Sequence, residues 1–572
     1  MTDKKLPRTP DTPADTPENP SRRRLLGSMA IAGAALAAGC HAPGSPDDGK
    51  GVAGAGSTAG GAGREAALDR ALREHVKHVV VIYCENRSFN NLFADFPGLE
   101  QPLAKVPAER LLQRDRDGTV MKTLPPIWQG LIRHDQTLDG KSYPKLAPDA
   151  ITGLANAPWE LHLPDGTPLP HGLVTRDLVH RFYVNQMQIN GGRNDGFAAW
   201  GDSGALLMGH YIDNASNLHL WKLARRYTLC DNFFMGAFGG SFLNHQYLVA
   251  AQPPFYPDAD TSPAKLKIAV LEDGPEGHRL KLADDSPASA MDGKPTFASH
   301  ASLTPDFHAI NTFGPPYQPG WSTDEKNPQR TDWSSGNTLP PQEHLTIGDT
   351  LSAKGVDWAW YAGAWQMALD GKGDQGLSDA FPTSPNFQAH HQPLNYFRHF
   401  APGSTLRKHI RDAGTGRDAS GNRFLADIEA GRLPQVSFYK PQGDLNMHAG
   451  YSSVSAGDEH VNDVIEALQA SPAWKDTVVI VTVDENGGWW DHVAPPKADR
   501  WGPGTRIPAL VISPHAKKGH VEHAVHDTGS IQRFLNRRFG LNPLPGIVKR
   551  DEAMRKHNDF APGDLTAALD LG

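Results

Sequence analysis

Two hydrophobic runs, His78-Val-Val-Val-Ile-Tyr-Cys84 and Thr477-Val-Val-Ile-Val-Thr-Val483, pass directly into clusters of acids and amides. Glu85-Asn86 follows the first, and Asp484-Glu485-Asn486-Gly487-Gly488 follows the second. A buried strand seldom ends in adjacent polar groups unless its end lines a site. In an open parallel α/β sheet the carboxyl ends of the strands form the ligand crevice, and clustered carboxylates there suit a hard cation through oxygen. Glu85, Asn86, Asp484 and Glu485 are therefore read as four oxygen ligands delivered by two strands. Either pair alone could cap a helix or close a turn. Recurrence of the same pattern argues against that simpler role.

The remainder of the chain alternates strand and helix signals in the manner of a doubly wound α/β sheet. Strands are predicted at 76–83, 227–234, 356–361, 435–439, 477–483 and 507–512. Predicted helices include 64–76, 460–470 with Val461, Val464, Ile465 and Leu468 at helical spacing, and 530–539 after Asp527-Thr-Gly. Stretches of about 98–168 and 253–345 are rich in Pro, Gly and charge and interrupt this rhythm. They read as insertions over the sheet edge or the mouth of a site. No internal repeat is visible, and one large domain over 65–572 is expected.

The first forty residues read as an address. Ser21-Arg22-Arg23-Arg24-Leu25-Leu26 precedes an apolar run, Met29 to Ala38, too short to span a bilayer. Paired arginines before such a run resemble a twin-arginine export signal. Ala37-Ala38-Gly39-Cys40 resembles a lipoprotein processing site that would lipidate Cys40; ordinary cleavage near Ala38 is the alternative. Residues 41–64, rich in Gly, Ala, Ser and Pro, read as a disordered tether. The expected product is exported: periplasmic, anchored through Cys40, or secreted.

Four blocks, in order, carry a family resemblance: Glu85-Asn86-Arg87-Ser88-Phe89; Gly239-Gly240-Ser241-Phe242-Leu243-Asn244-His245; Asp484-Glu485-Asn486-Gly487-Gly488 with Asp491-His492; and Arg506-Ile507-Pro508-Ala509-Leu510-Val511-Ile512-Ser513-Pro514. Together they resemble the bacterial phosphoesterase family that contains phospholipases C and metal-dependent acid phosphatases. That resemblance implies an alkaline-phosphatase-like α/β fold, one divalent metal ion held by Glu85, Asn86, Ser241, Asp484 and Glu485, and Ser241 as nucleophile. Serine stands where the phospholipase C branch more usually has threonine. Phe387-Gln-Ala-His390-His391-Gln392-Pro393 and Asn446-Met447-His448-Ala449-Gly450-Tyr451 favour the acid phosphatase branch, although the family more often has glutamate before and proline after that histidine. The same resemblance places His180 near the phosphate.

The implied chemistry is hydrolysis of a phosphate monoester through a phosphoseryl intermediate. A metal-bound serine hydroxyl loses its proton more readily, and in-line positioning with charge stabilisation does most of the work in phosphoryl transfer. His448 is expected as the leaving-group acid, held protonated by nearby carboxylates, with His460 its local competitor. His180, Asn244, His390 and His391 are expected to hold the phosphate. Helix capping is the alternative role for Ser241. Oxygen ligands suit Mg, Ca or Mn, while the surrounding imidazoles leave Zn and Fe open. With 26 histidines in 572 residues, any single one is weak as a signal. A net charge of −8 and no basic stripe after the N-terminus exclude a nucleic-acid footprint and favour small phosphate esters or phospholipid head groups. Two further readings stand: a phospholipase C acting on phosphodiester head groups, and an inactive, lipid-anchored binding protein, against which the full set of ligands and nucleophile argues. Cys84 and Cys230 are left either as buried thiols or as a disulfide.

Overall fold

All seven residues of Thr477–Val483 are buried, as are all but the first of His78–Cys84. Such runs can be satisfied only inside a sheet covered on both faces. The computed structural model of the chain describes residues 57–211, 215–371 and 387–572. The expected export signal, Cys40 and most of the tether lie outside them. Gly60–Gly572 form one compact unit.

Eight strands make the main sheet: β1 (His78–Cys84), β2 (Thr228–Cys230), β3 (Trp358–Gly363), β4 (Ile410–Gly414), β5 (Val436–Lys440), β6 (Thr477–Val483), β7 (Ala509–Ile512) and β8 (His520–Glu522). Their spatial order is β4-β3-β5-β1-β6-β7-β2-β8. β5, β1 and β6 run parallel at the centre. β7 alone runs antiparallel to both its neighbours. The fold is thus α/β with a mixed, mostly parallel sheet and flanking helices, the class expected.

Local departures from the expected elements have physical causes. The strand expected at 227–234 is broken into Thr228–Cys230 and Phe233–Phe234, the latter paired with His526–Asp527. Between the two pieces, Asp231 accepts from the Glu100 amide at 2.8 Å and Asn232 donates to Glu100 at 2.7 Å, so these polar side chains divert the backbone. The helix expected from Arg64 starts at Ser57, inside the stretch read as tether. The helix expected from His460 spans Val454–Ala470, because Ser453 caps it by accepting from the Ala456 amide at 3.1 Å. Cys84 and Cys230 are buried free thiols. They end β1 and β2, which stand three strands apart, so the disulfide alternative is excluded.

Both insertions carry a small hairpin, Gln136–Leu138 with Lys141–Tyr143 and Leu271–Gly274 with Gly277–Leu280. They brace the segment leading to His180. Gln136 exchanges two hydrogen bonds with the Val174 backbone, both at 2.8 Å. From the second insertion, Asn311 accepts from the Phe182 amide at 3.2 Å, and the His300 carbonyl accepts from Arg181 at 2.9 Å.

Candidate active site

Register explains how residues four hundred positions apart meet. β1 and β6 pair so that Cys84 lies beside Val483, and the ladder continues one step as the Asp484 amide donates to the Cys84 carbonyl at 3.1 Å. Glu85-Asn86 and Asp484-Glu485 therefore leave the sheet side by side. All four are completely buried. On the other flank of β1, the last residue of β5 is Lys440, also completely buried, whose Nζ donates to Glu85 Oε1 at 2.6 Å.

Ser241 opens the helix Ser241–Ala250, and Gly240 is its N-cap. The serine makes no capping bond. Its hydroxyl instead faces Glu85 Oε2 at 3.0 Å and Glu485 Oε1 at 3.2 Å, which removes the capping role. The turn before it needs glycine. Gly239 has φ +94°, and a Cβ there would stand 2.4 Å from the Phe182 amide nitrogen. Gly488, with φ +78°, approaches the same segment three residues earlier, 2.7 Å from the Val179 carbonyl oxygen by the same measure. Asn244 is completely buried and braces the serine turn: its amide donates to the Ala237 carbonyl at 3.1 Å and the Gly240 carbonyl at 3.2 Å, and it accepts from the Ala237 amide at 2.9 Å. Expected at the phosphate, it has its polar atoms engaged with the turn.

Imidazoles close the rest of the site. His180 Nε2 lies 3.8 Å from Glu485 Oε1, and its Nδ1 bonds the Leu178 carbonyl at 2.6 Å. His448 Nε2 lies 3.9 Å from Glu85 Oε2; its ring stacks on Tyr451 and its Nδ1 contacts the Ala449 carbonyl. His390 is slightly exposed, with Nδ1 lacking a hydrogen-bond partner. His391, by contrast, is fully buried, with Nε2 2.9 Å from Glu85 Oε1. Expected as a phosphate donor, it stands beside Glu85, with neither ring nitrogen in a hydrogen bond. His460 bonds the Tyr439 hydroxyl at 2.6 Å, with no contact to the carboxylates, and drops out as a competitor of His448. Asp491 and His492 are committed to structure as well. Asp491 accepts from Arg506 at 3.1 Å and from the Asn90 amide at 2.9 Å, while His492 bonds Asn90 and the Gln101 carbonyl.

Sequence reasoning missed two participants. Lys440 is one; it falls one residue past the strand predicted at 435–439. His245 is the other, buried with Nδ1 2.8 Å from the Ser241 carbonyl and 3.7 Å from Asp484 Oδ2. Its position four residues after Ser241 on one helix was the available signal.

Charge is unbalanced here. Three carboxylates face one ammonium. Burial alone would raise Glu85, but Lys440, His391 and His448 bring it well below the usual carboxylate range. Burial and the Glu85 charge push Asp484 well up, and burial raises Glu485 to about 7 even against the pull of His180. Burial would lower His180, yet Glu485 and its surroundings raise it to about 9. Burial lowers His448, and lowers His391 to about 4. Carboxylates are expected to hold His448 protonated; burial instead pushes its pKa down, whereas the carboxylates beside His180 push that group up.

Donor chemistry fits a divalent cation. Asn86 Oδ1 and Asp484 Oδ2 are buried without hydrogen-bond partners, and the surplus of buried carboxylates calls for positive charge. Ser241 touches Glu85 and Glu485, and Asn86 donates to Glu485 Oε1 at 3.2 Å. Glu85 also groups with His245 and Asp484, and with His390 and His391, ligand atoms lying within 4.8 Å of one another in each set. A separate cavity of about 1030 Å³, lined by Arg114, Asn190, Asp195, Arg279 and Asp499 among others, contains none of these residues.

The sequence model of the Phosphoesterase family matches residues 76–542. Among curated proteins, a non-hemolytic phospholipase C of Pseudomonas aeruginosa is 30% identical over 259 residues, 40% of this chain and 33% of that one. Phospholipase C B of Mycobacterium tuberculosis is 23% identical over 87% of this chain and 78% of its own length. The chain thus spans about a third of the first of these relatives. Among solved structures, an alkaline phosphatase superfamily protein from Vibrio parahaemolyticus matches 58% of this chain and 63% of its own at 12% identity, with a TM-score of 0.29.

Proposed function

The chain belongs to the Phosphoesterase family, and on that premise we propose that this phosphoric ester hydrolase is an exported, metal-dependent phosphomonoesterase working through a phosphoseryl intermediate at acid pH. One observation carries the reading: the Ser241 hydroxyl sits between Glu85 and Glu485, free of any capping duty, with His180 beside Glu485 and His390 and His448 beside Glu85. A divalent cation in the carboxylate cage would neutralise charge and lower the proton affinity of the serine oxygen. The hydroxyl proton already faces Glu85 Oε2 and Glu485 Oε1, the acceptors available as oxygen attacks phosphorus. His180, charged, and His390 hold the phosphoryl oxygens. A monoester presents three such oxygens and two charges, which suits several imidazole donors better than a diester does. His448 Nε2 protonates the leaving oxygen, and water then hydrolyses the phosphoserine. Because burial lowers its pKa, His448 carries that proton only on the acid side of ordinary histidine, which supports an acid optimum.

The phospholipase C names of the relatives favour a second reading, cleavage of a phosphodiester head group. Metal-loaded protein assayed on p-nitrophenyl phosphate and p-nitrophenyl phosphorylcholine separates the two. Rapid-quench trapping of phosphate on Ser241, with Ser241→Ala reduced on the order of 10^4-fold in turnover, is the expected result. Turnover of the diester alone would install the phospholipase reading, and turnover of neither would favour the inactive binder. No helix among the described residues is long and apolar enough to cross a membrane. Mass spectrometry of the mature N-terminus tests export and the lipid on Cys40.

A further inference from the structure

One buried cation has no part in the chemistry above. Arg87, in the block that carries Glu85 and Asn86, is 1% exposed and makes no ion pair among the described residues. Its partners are neutral. Nε and Nη2 both donate to the Met447 carbonyl, at 3.0 and 2.9 Å, and Nη1 reaches Asn91 Oδ1 at 3.5 Å. The guanidinium also lies over the buried Trp489 ring, 5.3 Å from its centre. Burying a charge without a counter-charge is costly, and an apolar side chain of similar volume would serve packing as well. The acceptor shows what the charge supplies. Met447 has φ +76°, a left-handed conformation that a β-carbon disfavours and that persists only where the surroundings impose it. It immediately precedes His448. On its other side Asn446 is tied to the cage, its carbonyl accepting from the Glu85 amide at 2.8 Å and its Oδ1 from the His448 amide at 2.9 Å. The Met447 side chain packs on the helix Val454–Ala470, where a Cβ on Gly457 would come within 2.2 Å of Met447 Cγ. A planar fork with two donors on one carbonyl fixes direction as well as distance, which a single ammonium does not. Trp489 follows Gly487-Gly488, so one guanidinium joins the chain leaving both carboxylate pairs to the turn that carries His448.

We propose that Arg87 is a positioning residue that acts through His448, locking the turn 446–452 so that His448 Nε2 stays beside Glu85 Oε2. The catalytic half rests on the phosphomonoesterase reading; the tie between Arg87 and the turn does not. The test uses full-length protein loaded with Mg or Mn, as wild type, Arg87→Met and Arg87→Lys, the last retaining the cation should the first fail to fold. Four amides of the turn report on it directly, since those of Met447, His448, Gly450 and Ser452 are all hydrogen-bonded. Hydrogen exchange over 446–452 should quicken at least about tenfold in both variants. Turnover of an alkyl phosphate should fall about 10- to 100-fold and that of p-nitrophenyl phosphate much less, with metal content after dialysis as in wild type. Added to His448→Ala, Arg87→Lys should cost less than about threefold more on the alkyl ester, because both act at one step. Wild-type exchange over 446–452 in both variants overturns the tie. Equal losses on the two esters, full additivity with His448→Ala, or loss of metal overturns the route through His448 and leaves Arg87 a support of the cage. Faster exchange in a protein where His448→Ala itself lacks leaving-group dependence sustains the tie and sinks the acid role of His448 instead.

Discussion

Two buried charge networks in this molecule are built on opposite principles. Beside the helix Gly529–Phe539, Asp527 accepts from Arg533 at 2.7 Å and Arg550 at 3.1 Å, and these arginines reach on to Asp551 and Asp499. Every charge there has an opposite neighbour. Burial would raise Asp527, but the two guanidiniums hold it below its ordinary value, and Arg533 and Arg550 are raised in turn. Around Ser241 the balance is broken: Glu85 alone has a direct ammonium partner, while Asp484 and Glu485 are driven up. A balanced network serves the fold. An unbalanced one persists because something else supplies the missing charge, so site and scaffold can be told apart by charge balance rather than by burial.

The largest effect that could break this contrast lies in the cage. Asp484→Asn or Glu85→Gln should cut metal affinity by at least about 100-fold with activity falling in parallel, since each removes a charged oxygen ligand. Elemental analysis after dialysis decides it, and unchanged metal content in both variants would return these carboxylates to a structural role. Next is the leaving-group acid. His448→Ala should slow an alkyl phosphate by about 10^2 to 10^4-fold and p-nitrophenyl phosphate much less, because phenolate leaves with little help. In wild type the basic limb should fall below the ordinary histidine value; a limb near 9 would transfer the acid role to His180.

On the scaffold side, Asp527→Asn strands two arginines and should cost about 3 to 5 kcal/mol of stability while leaving turnover per folded molecule intact. Asp527 has a depressed pKa in the folded state. Its stabilisation is present above the unfolded value and disappears as pH falls through the folded one, so the variant should also lose part of its acid-unfolding transition. Denaturant melts across pH supply the measurement. The smallest effect concerns Glu485, whose sign is opposite. Raised to about 7, it binds a proton in the folded state when the unfolded chain has already lost it, so metal-free protein should lose stability as pH rises from about 4.5 to 7. Glu485→Gln should flatten that slope in Tm. An unchanged slope would mean that the cage is not the strained network described.

Legibility in the sequence followed the same division. The central strands, being continuous apolar runs, fixed their own ends to within a few residues, and with them the four oxygen ligands. Edge strands did not. Ile410–Gly414, reading Ile-Arg-Asp-Ala-Gly, and His520–Glu522 are short and polar, because an edge faces water and carries no run of buried residues. Lys440 escaped because its meaning depends on which strands are neighbours, and spatial order is not written in local pattern. For His391 and Asn244 the motif gave proximity, but not that one stands beside Glu85 and the other braces the serine turn, because the direction of a side chain depends on the turn that carries it. His448 shows the same limit in electrostatics, where its burial, invisible in sequence, outweighed the acids visible nearby.

The two glycine turns hold a consequence for how such an enzyme can change. Gly239 and Gly488 rest against the same short segment, Leu178 to Phe182, one at Arg181 and Phe182 and the other at Leu178 and Val179. The nucleophile's turn and the carboxylates' turn are therefore both held against the main chain of one five-residue segment, at its two ends, where no side chain intervenes. Side chains around the crevice can be exchanged to tune substrate or pH while these contacts stay fixed. Lengthening or shortening that segment by a residue would shift both turns at once, so the variable parts of the chain must lie elsewhere, in the two long insertions that hold it from outside.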